Sequence, residues 1–219
     1  MNSSPIFDSL SYAGVIPVVE IPHPDLAVPL AEALASADLP VIEVTFRTSS
    51  ADESISRIKK AFPKFTVGAG TLLNEAQVEM AVRAGADFGV SPGLNLKVVK
   101  RAHNLQFPHI PGVMTPSEVE SGLENSINFF KLFPSEAISG LKLLPSFKGP
   151  YRSAKFMPTG GVSIQKLSEY LSNENVFACG GTWIATRQMI ENRKFDEISN
   201  LARGAVKEVK EIRNRNEDQ

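Results

Sequence analysis

Short apolar or β-branched runs recur along the chain at near-even intervals, over residues 15–20, 41–46, 65–69, 87–91, 107–111, 128–133, 155–158 and 176–180. Most end in glycine, proline, serine or threonine, residues that stop a strand and open a loop. The segments between them carry helical spacing. Leu26, Leu30, Ala33, Leu34 and Ala37 fall on one face, as do Val78, Ala81 and Val82. Ser163 precedes Ile164-Gln165-Lys166-Leu167 and is placed to cap a helix. Near the end, Ile198, Leu201, Ala202, Ala205, Val209 and Ile212 predict a long amphipathic helix. The polar stretch that follows, from Arg213 to Gln219, is expected to fray.

Eight strand candidates alternating with helices imply parallel βαβ units. At 219 residues the better solution is an α/β single-domain (β/α)₈ TIM barrel over residues 1–219, with an extra helical segment ahead of the first strand. A doubly wound open sheet is the alternative. It needs fewer strands, and no GxGxxG follows the first one.

Composition narrows the function. Lys and Arg number 23 against 24 Asp and Glu, a formal charge of −1. No global field draws this surface to nucleic acid or an anionic membrane, so any phosphate must be held by a local site. The single cysteine, Cys179, excludes an internal disulfide and offers no zinc spacing, which fits a reducing, cytoplasmic setting. Met1-Asn2-Ser3-Ser4-Pro5 lacks the basic and apolar regions of a signal peptide, and no apolar stretch is long enough to span a bilayer.

Side chains of one parity share a face of a strand. Across residues 41–47 the polar Glu43, Thr45 and Arg47 have one parity, while Ile42, Val44 and Phe46 have the other and can pack under helices. The polar set therefore faces the barrel interior or its rim. In Phe129-Phe130-Lys131-Leu132-Phe133 a lone lysine interrupts an apolar strand. Burying an ammonium is costly, so such a lysine is either paired or shifted toward the free amine, the form Schiff-base chemistry needs. Taken singly, a mid-strand lysine such as Lys131 is more often a structural ion-pair partner, and Glu43 with Arg47 reads equally as a salt bridge at the mouth. Together they suit an anionic carbonyl compound.

Two glycine pairs add a second feature. Pro158-Thr159-Gly160-Gly161 follows the seventh strand candidate and Cys179-Gly180-Gly181-Thr182 the eighth. Loops at these places, with a helix N-terminus, frequently hold phosphate in (β/α)₈ barrels. Tight turns alone would also call for glycine.

The runs Glu43-Val44-Thr45-Phe46-Arg47-Thr48, Gly68-Ala69-Gly70-Thr71, Ser91-Pro92-Gly93, Ile110-Pro111-Gly112, Phe130-Lys131-Leu132-Phe133-Pro134, Pro158-Thr159-Gly160-Gly161 and Gly180-Gly181-Thr182-Trp183 resemble, in order, the 2-keto-3-deoxy-6-phosphogluconate (KDPG) and 4-hydroxy-2-oxoglutarate aldolase family. The resemblance implies a (β/α)₈ homotrimer and a class I aldolase that needs neither metal nor cofactor. It implies a small phosphorylated 2-keto acid as partner, split to pyruvate and D-glyceraldehyde 3-phosphate. By motif, Lys131 would form the imine and Glu43 would move protons. Arg47 and Thr71 would hold the carboxylate beside Pro92, and Phe133 would pack against the nucleophile. Gly160, Gly161, Gly181 and Thr182 would bind phosphate, Thr182 standing where the family often has serine. Thr159 would meet the C4 hydroxyl, where enzymes for the galactonate epimer tend to carry an aliphatic residue.

The three histidines are scattered, and His109 matches no family role. Cys179 reads as a small buried hydrophobe and Trp183 as a packing residue. The competing readings are an aldolase for the C4 epimer or for unphosphorylated hydroxy-oxoglutarate, and a phosphate-binding barrel without turnover. A binding module has no need of a lysine, glutamate and arginine on interior parities. A metal-dependent aldolase would need a His, Asp or Glu cluster with ligand spacing, which the sequence lacks.

Overall fold

The computed structural model of the chain describes residues 5–217; Met1 to Ser4 and the last two residues of the polar stretch, Asp218 and Gln219, lie outside it. Its strands are β1 (Val15–Val19), β2 (Val41–Thr45), β3 (Thr66–Gly70), β4 (Phe88–Val90), β5 (His109–Ile110), β6 (Gly112–Val113), β7 (Phe129–Leu132), β8 (Lys155–Pro158) and β9 (Cys179–Gly181). The α-helices are α1 (Pro5–Ala13), α2 (Ala27–Ala35), α3 (Ala51–Ala61), α4 (Glu75–Arg83), α5 (Leu96–Asn104), α6 (Pro116–Glu124), α7 (Gly140–Lys148), α8 (Ile164–Leu171), α9 (Arg187–Glu191) and α10 (Phe195–Glu217). This is an α/β fold in which every strand pairing is parallel.

Strand order is β5-β4-β3-β2-β1-β9 in a six-stranded sheet and β6-β7-β8 in a smaller one. Both follow chain order except that the last strand, β9, pairs with the first, β1, and neither has the reversal that marks a doubly wound sheet. The chain passes from β5 through Pro111 into β6, so an edge of one sheet continues into an edge of the other. At the opposite edges, Phe156 bridges Val176 and Thr159 bridges Gly180.

Two expected strands differ in extent. The run over residues 107–111 becomes two short strands, because Pro111 has no N–H to give a ladder, although its carbonyl accepts from Lys131 N–H at 2.9 Å. In the run over residues 176–180, Val176 makes only its bridge, and the strand itself is Cys179–Gly181.

The outer face of the sheets is closed by the expected helical stripes. Leu30, Ala33 and Leu34 on α2 are buried, as are Val78 and Ala81 on α4, while Val82 is half-buried. On α10, Ile198, Ala202, Ala205, Val209 and Ile212 are buried and Leu201 is only partly so. Ser163 occupies the N-cap of α8 with extended backbone, but its side chain makes no capping bond. The polar stretch does not fray at Arg213: α10 runs on to Glu217. The cause is a tether. The Arg213 guanidinium donates to the Ser11 carbonyl at 2.6 Å and lies 5.1 Å over the Tyr12 ring, holding α10 to α1. No helix among the described residues is long and apolar enough to cross a membrane.

Register decides what faces inward. Val18, Glu43, Gly68 and Phe88 form one row across β1 to β4, and Gly112, Lys131 and Met157 form another across β6 to β8. On the opposite parity Phe130 and Phe156 stack at 5.9 Å, with Phe147 of α7 packed on Phe156. The lysine and the glutamate thus share the side turned away from those aromatic rings.

Candidate active site

Lys131 is drawn into the interior by the apolar residues on either side of it, and it is 6% exposed. Its Nζ donates to Oε1 of Glu43 at 3.2 Å. Glu43 is 0% exposed, and its second oxygen, Oε2, accepts no hydrogen bond. Leaving a buried carboxylate oxygen bare costs free energy, so such an atom calls for an explanation. Thr45, on the same parity, is satisfied differently: its hydroxyl donates to the Val19 carbonyl at 2.9 Å.

Two glycines that received no role from the sequence allow close approaches here, Gly70 to the Glu43 carboxylate and Gly112, which pairs with Lys131, to the Pro92 backbone. A Cβ on Gly70 would lie 2.3 Å from Oε1 of Glu43, and one on Gly112 would lie 2.1 Å from the Pro92 carbonyl oxygen. Glycine inside a strand often marks a close approach of this kind, and that was the available signal.

The other candidates sit at the carboxyl ends of the strands, where open parallel sheets and barrels alike place their sites. Arg47 lies just beyond β2, is exposed, and makes no ion pair among the described residues. Thr71 follows β3 with φ of 60°, the left-handed region that a β-branched side chain seldom enters. That conformation is held from outside: Leu72 N–H donates to the Val90 carbonyl at 3.0 Å, and the Leu72 carbonyl accepts from the Ser91 hydroxyl at 2.6 Å. Pro92 follows, with its carbonyl against Gly112.

Phe133 bridges the two halves of the site. Its ring centroid is 5.5 Å from Lys131 Nζ, and a Cβ on Gly160 would lie 3.2 Å from its edge. Thr159 is 2% exposed and donates its hydroxyl to the Met157 carbonyl at 3.2 Å, while Gly180 opposite has no Cβ to crowd it. Gly160 and Gly161 have φ of 95° and 81°, conformations open to glycine. They lead into the N-terminus of α8. Gly181 is buried and pairs with Pro17, and Thr182 is exposed beyond it.

His109 shares the side of Gly89, opposite in parity to Phe88 and Glu43. Its Nε2 lies 2.8 Å from the Ser91 hydroxyl and its Nδ1 has no partner. Burial pushes its pKa down to about 3. Burial likewise raises the Cys179 thiol, which is fully enclosed. Trp183 is partly buried against the core.

A buried amine beside a buried carboxylate, inside parallel strands whose carboxyl-end loops bring the other candidates together, is an arrangement open to imine chemistry. Comparison with known proteins agrees. The family model for KDPG and KHG aldolase matches residues 6–201. A 2-dehydro-3-deoxy-phosphogluconate aldolase of Haemophilus influenzae is 39% identical over 205 residues, 94% of this chain and 97% of the relative. A crystal structure of KDPG aldolase from Legionella pneumophila, with pyruvate captured at low pH as a covalent carbinolamine intermediate, superposes with a TM-score of 0.89. It is 35% identical and covers 93% of this chain and 98% of its own. The aldolase of Zymomonas mobilis ZM4 with 3-phosphoglycerate has a TM-score of 0.84 and 37% identity, covering 91% of this chain and 94% of its own. The chain belongs to the KDPG and KHG aldolase family. It is an aldolase, a carbon–carbon lyase.

Proposed function

We propose that this enzyme cleaves 2-keto-3-deoxy-6-phosphogluconate to pyruvate and D-glyceraldehyde 3-phosphate through an imine on Lys131, and that it also accepts 4-hydroxy-2-oxoglutarate. One observation carries the reading: Lys131 Nζ and Glu43 Oε1 are 3.2 Å apart in a buried site, with Glu43 Oε2 bare. The free amine of Lys131 adds to the C2 carbonyl to give a carbinolamine, which loses water to form an iminium ion. Glu43 takes the proton of the C4 hydroxyl. The C3–C4 bond breaks, its electron pair flows into the iminium to form an enamine, and the aldehyde departs. Glu43 then returns the proton to C3, and water releases pyruvate from the lysine. The bare oxygen suits this role, because a substrate hydroxyl or a water would satisfy it.

The remaining assignments are part of the same proposal. Arg47 would pair with the substrate carboxylate, its guanidinium being exposed at the end of β2. Thr71 would add a hydroxyl from its constrained turn, and Pro92 would line that end. Phe133 would exclude water beside the imine. Gly160, Gly161, Gly181 and Thr182 would take the phosphate with the first turn of α8, where backbone N–H groups and the helix dipole favour an anion. Thr159 would turn its hydroxyl from the Met157 carbonyl to donate to the C4 oxygen, leaving the C4 proton to Glu43. The proposal routes no step through a metal or cofactor, the iminium being the electron sink.

On fold, we read the two sheets as one closed (β/α)₈ barrel with β5 and β6 as halves of a single strand and α1 as the extra N-terminal element, all in one domain. The continuity through Pro111 and the bridges between β8 and the β9 side support this. A homotrimer in the cytoplasm rests on the family resemblance.

Steady-state cleavage of KDPG, its C4 epimer and 4-hydroxy-2-oxoglutarate tests the reading. KDPG is expected to give the highest kcat/KM; preference for the epimer would overturn the substrate assignment.

A further inference from the structure

The segment after β7 is fastened to the loop after β8 and to α8 through one side chain that the chemistry above does not use. Glu136 lies in a short 3₁₀ turn, Glu136–Ile138, five positions beyond Lys131. Its backbone N–H donates to the Gly160 carbonyl at 3.1 Å, and Ser135 N–H donates to the Thr159 carbonyl at 2.8 Å, so the β7–β8 pairing is prolonged past both strands. Its carboxylate grips α8 at two points one turn apart. Oε2 accepts from the Lys166 ammonium, and Oε1 accepts from the Tyr170 hydroxyl at 2.6 Å. Tyr170 is fully buried, and its oxygen also meets the Ser135 hydroxyl at 2.9 Å, so Ser135 donates to Tyr170 and Tyr170 to Glu136.

Gly161 rests directly on this side chain. A Cβ there would lie 2.8 Å from Glu136 Cβ and 2.9 Å from its Cγ. The glutamate stem is thus the floor of the loop, and its carboxylate is the tie to the helix that begins beyond it. Lys166 stands in the first turn of α8, where a cation opposes the helix dipole. Pairing with Glu136 offsets that cost and keeps the ammonium beside the loop.

We propose that Glu136 is a positioning residue that sets the reach between Lys131 and the phosphate loop, holding Gly160, Gly161 and the first turn of α8 in register with the strand that carries the imine. The inference rests on the reading that this loop takes the substrate phosphate. Glu136 itself touches no reacting atom. Its effect falls on reactions that must span lysine and phosphate together, and spares those confined to the pyruvyl end.

Three reactions separate the effects: cleavage of KDPG, cleavage of unphosphorylated 2-keto-3-deoxygluconate, and deuterium exchange at the pyruvate methyl. Each is measured in the wild type, Glu136→Gln and Tyr170→Phe; the last keeps the buried ring and removes only the hydroxyl that Glu136 accepts. Both variants are expected to raise KM for KDPG by about tenfold, the scale of one lost charge-assisted hydrogen bond. Exchange and unphosphorylated cleavage are expected to stay within about twofold of wild type. Should Glu136→Gln fail to fold, Tyr170→Phe carries the test alone. An unchanged KM for KDPG, or a loss of pyruvate exchange equal to the loss of KDPG cleavage, overturns the proposal. A wild type that does not prefer the phosphorylated substrate overturns the underlying phosphate reading instead.

Discussion

Gly70 and Glu43 stand against each other on β3 and β2, so close that a methyl group on residue 70 would lie 2.3 Å from Oε1 of the glutamate. The carboxylate reaches Lys131 over a place where only hydrogen fits. Gly70→Ala needs no unusual backbone dihedral, so its effect is steric and local. The shift it forces on Glu43 is expected to lower kcat by about 10²-fold, since misplacing a reacting group by about 1 Å costs that much. Overpacking should cost about 1–3 kcal/mol of stability, leaving a folded protein. Circular dichroism melting beside steady-state kinetics checks both; a variant with wild-type kcat would show that Glu43 needs no such seat.

Glu43→Gln keeps the shape and a hydrogen-bonding group while removing the base. Imine formation with pyruvate is expected to persist, and exchange at pyruvate C3 to drop by about 10²–10⁴-fold, the usual contribution of a positioned acid–base group. Proton NMR in deuterium oxide follows the exchange directly. Exchange at the wild-type rate would move the proton-transfer role to another residue.

The strands and helical faces were legible because burial imposes them on the sequence. The alternation of Glu43, Thr45 and Arg47 with Ile42, Val44 and Phe46 required one face to differ from the other, and Lys131 among aromatic residues had to be compensated. What the pattern could not convey is who compensates whom across the fold. Nothing in the spacing of Ser135, Glu136, Lys166 and Tyr170 says that they meet, since contacts of that separation are set by helix packing. The division at Pro111 was readable in principle from its missing N–H. The tether of Arg213 to Ser11 and Tyr12 was not, because charge at a chain end looks like solvation whether or not a partner waits.

Thr159→Val tests how the enzyme tells C4 epimers apart. The hydroxyl donates to the Met157 carbonyl at 3.2 Å and can turn from it to donate to the C4 oxygen of one epimer, whose own proton goes to Glu43. Removing it is expected to reduce the preference for KDPG over its C4 epimer by roughly 5- to 150-fold, the equivalent of about 1–3 kcal/mol for a buried polar partner left unpaired. Competition kinetics with both epimers gives the ratio; an unchanged ratio makes Thr159 a brace for the turn beside Gly180.

His109 adds a component of acid sensitivity that one substitution can isolate. Burial lowers its pKa to about 3, from an ordinary value of 6.5, so between those limits the unfolded chain binds a proton that the folded chain refuses. Its favourable contribution is complete above about pH 6.5 and is lost as pH falls toward 3, by up to about 1.4 kcal/mol per pH unit. His109→Leu removes the group yet leaves the Ser91 hydroxyl its bond to Leu72. Urea titrations from neutral pH down to about pH 4 should show the wild type losing stability more steeply than the variant. Parallel profiles would mean that His109 is protonated without cost.

The most direct measurement is borohydride reduction of the enzyme in the presence of pyruvate, followed by peptide mass spectrometry. The account predicts one stable adduct, on Lys131, the buried amine 3.2 Å from Glu43. A label on another lysine, or no label on an enzyme that is turning over, would contradict it.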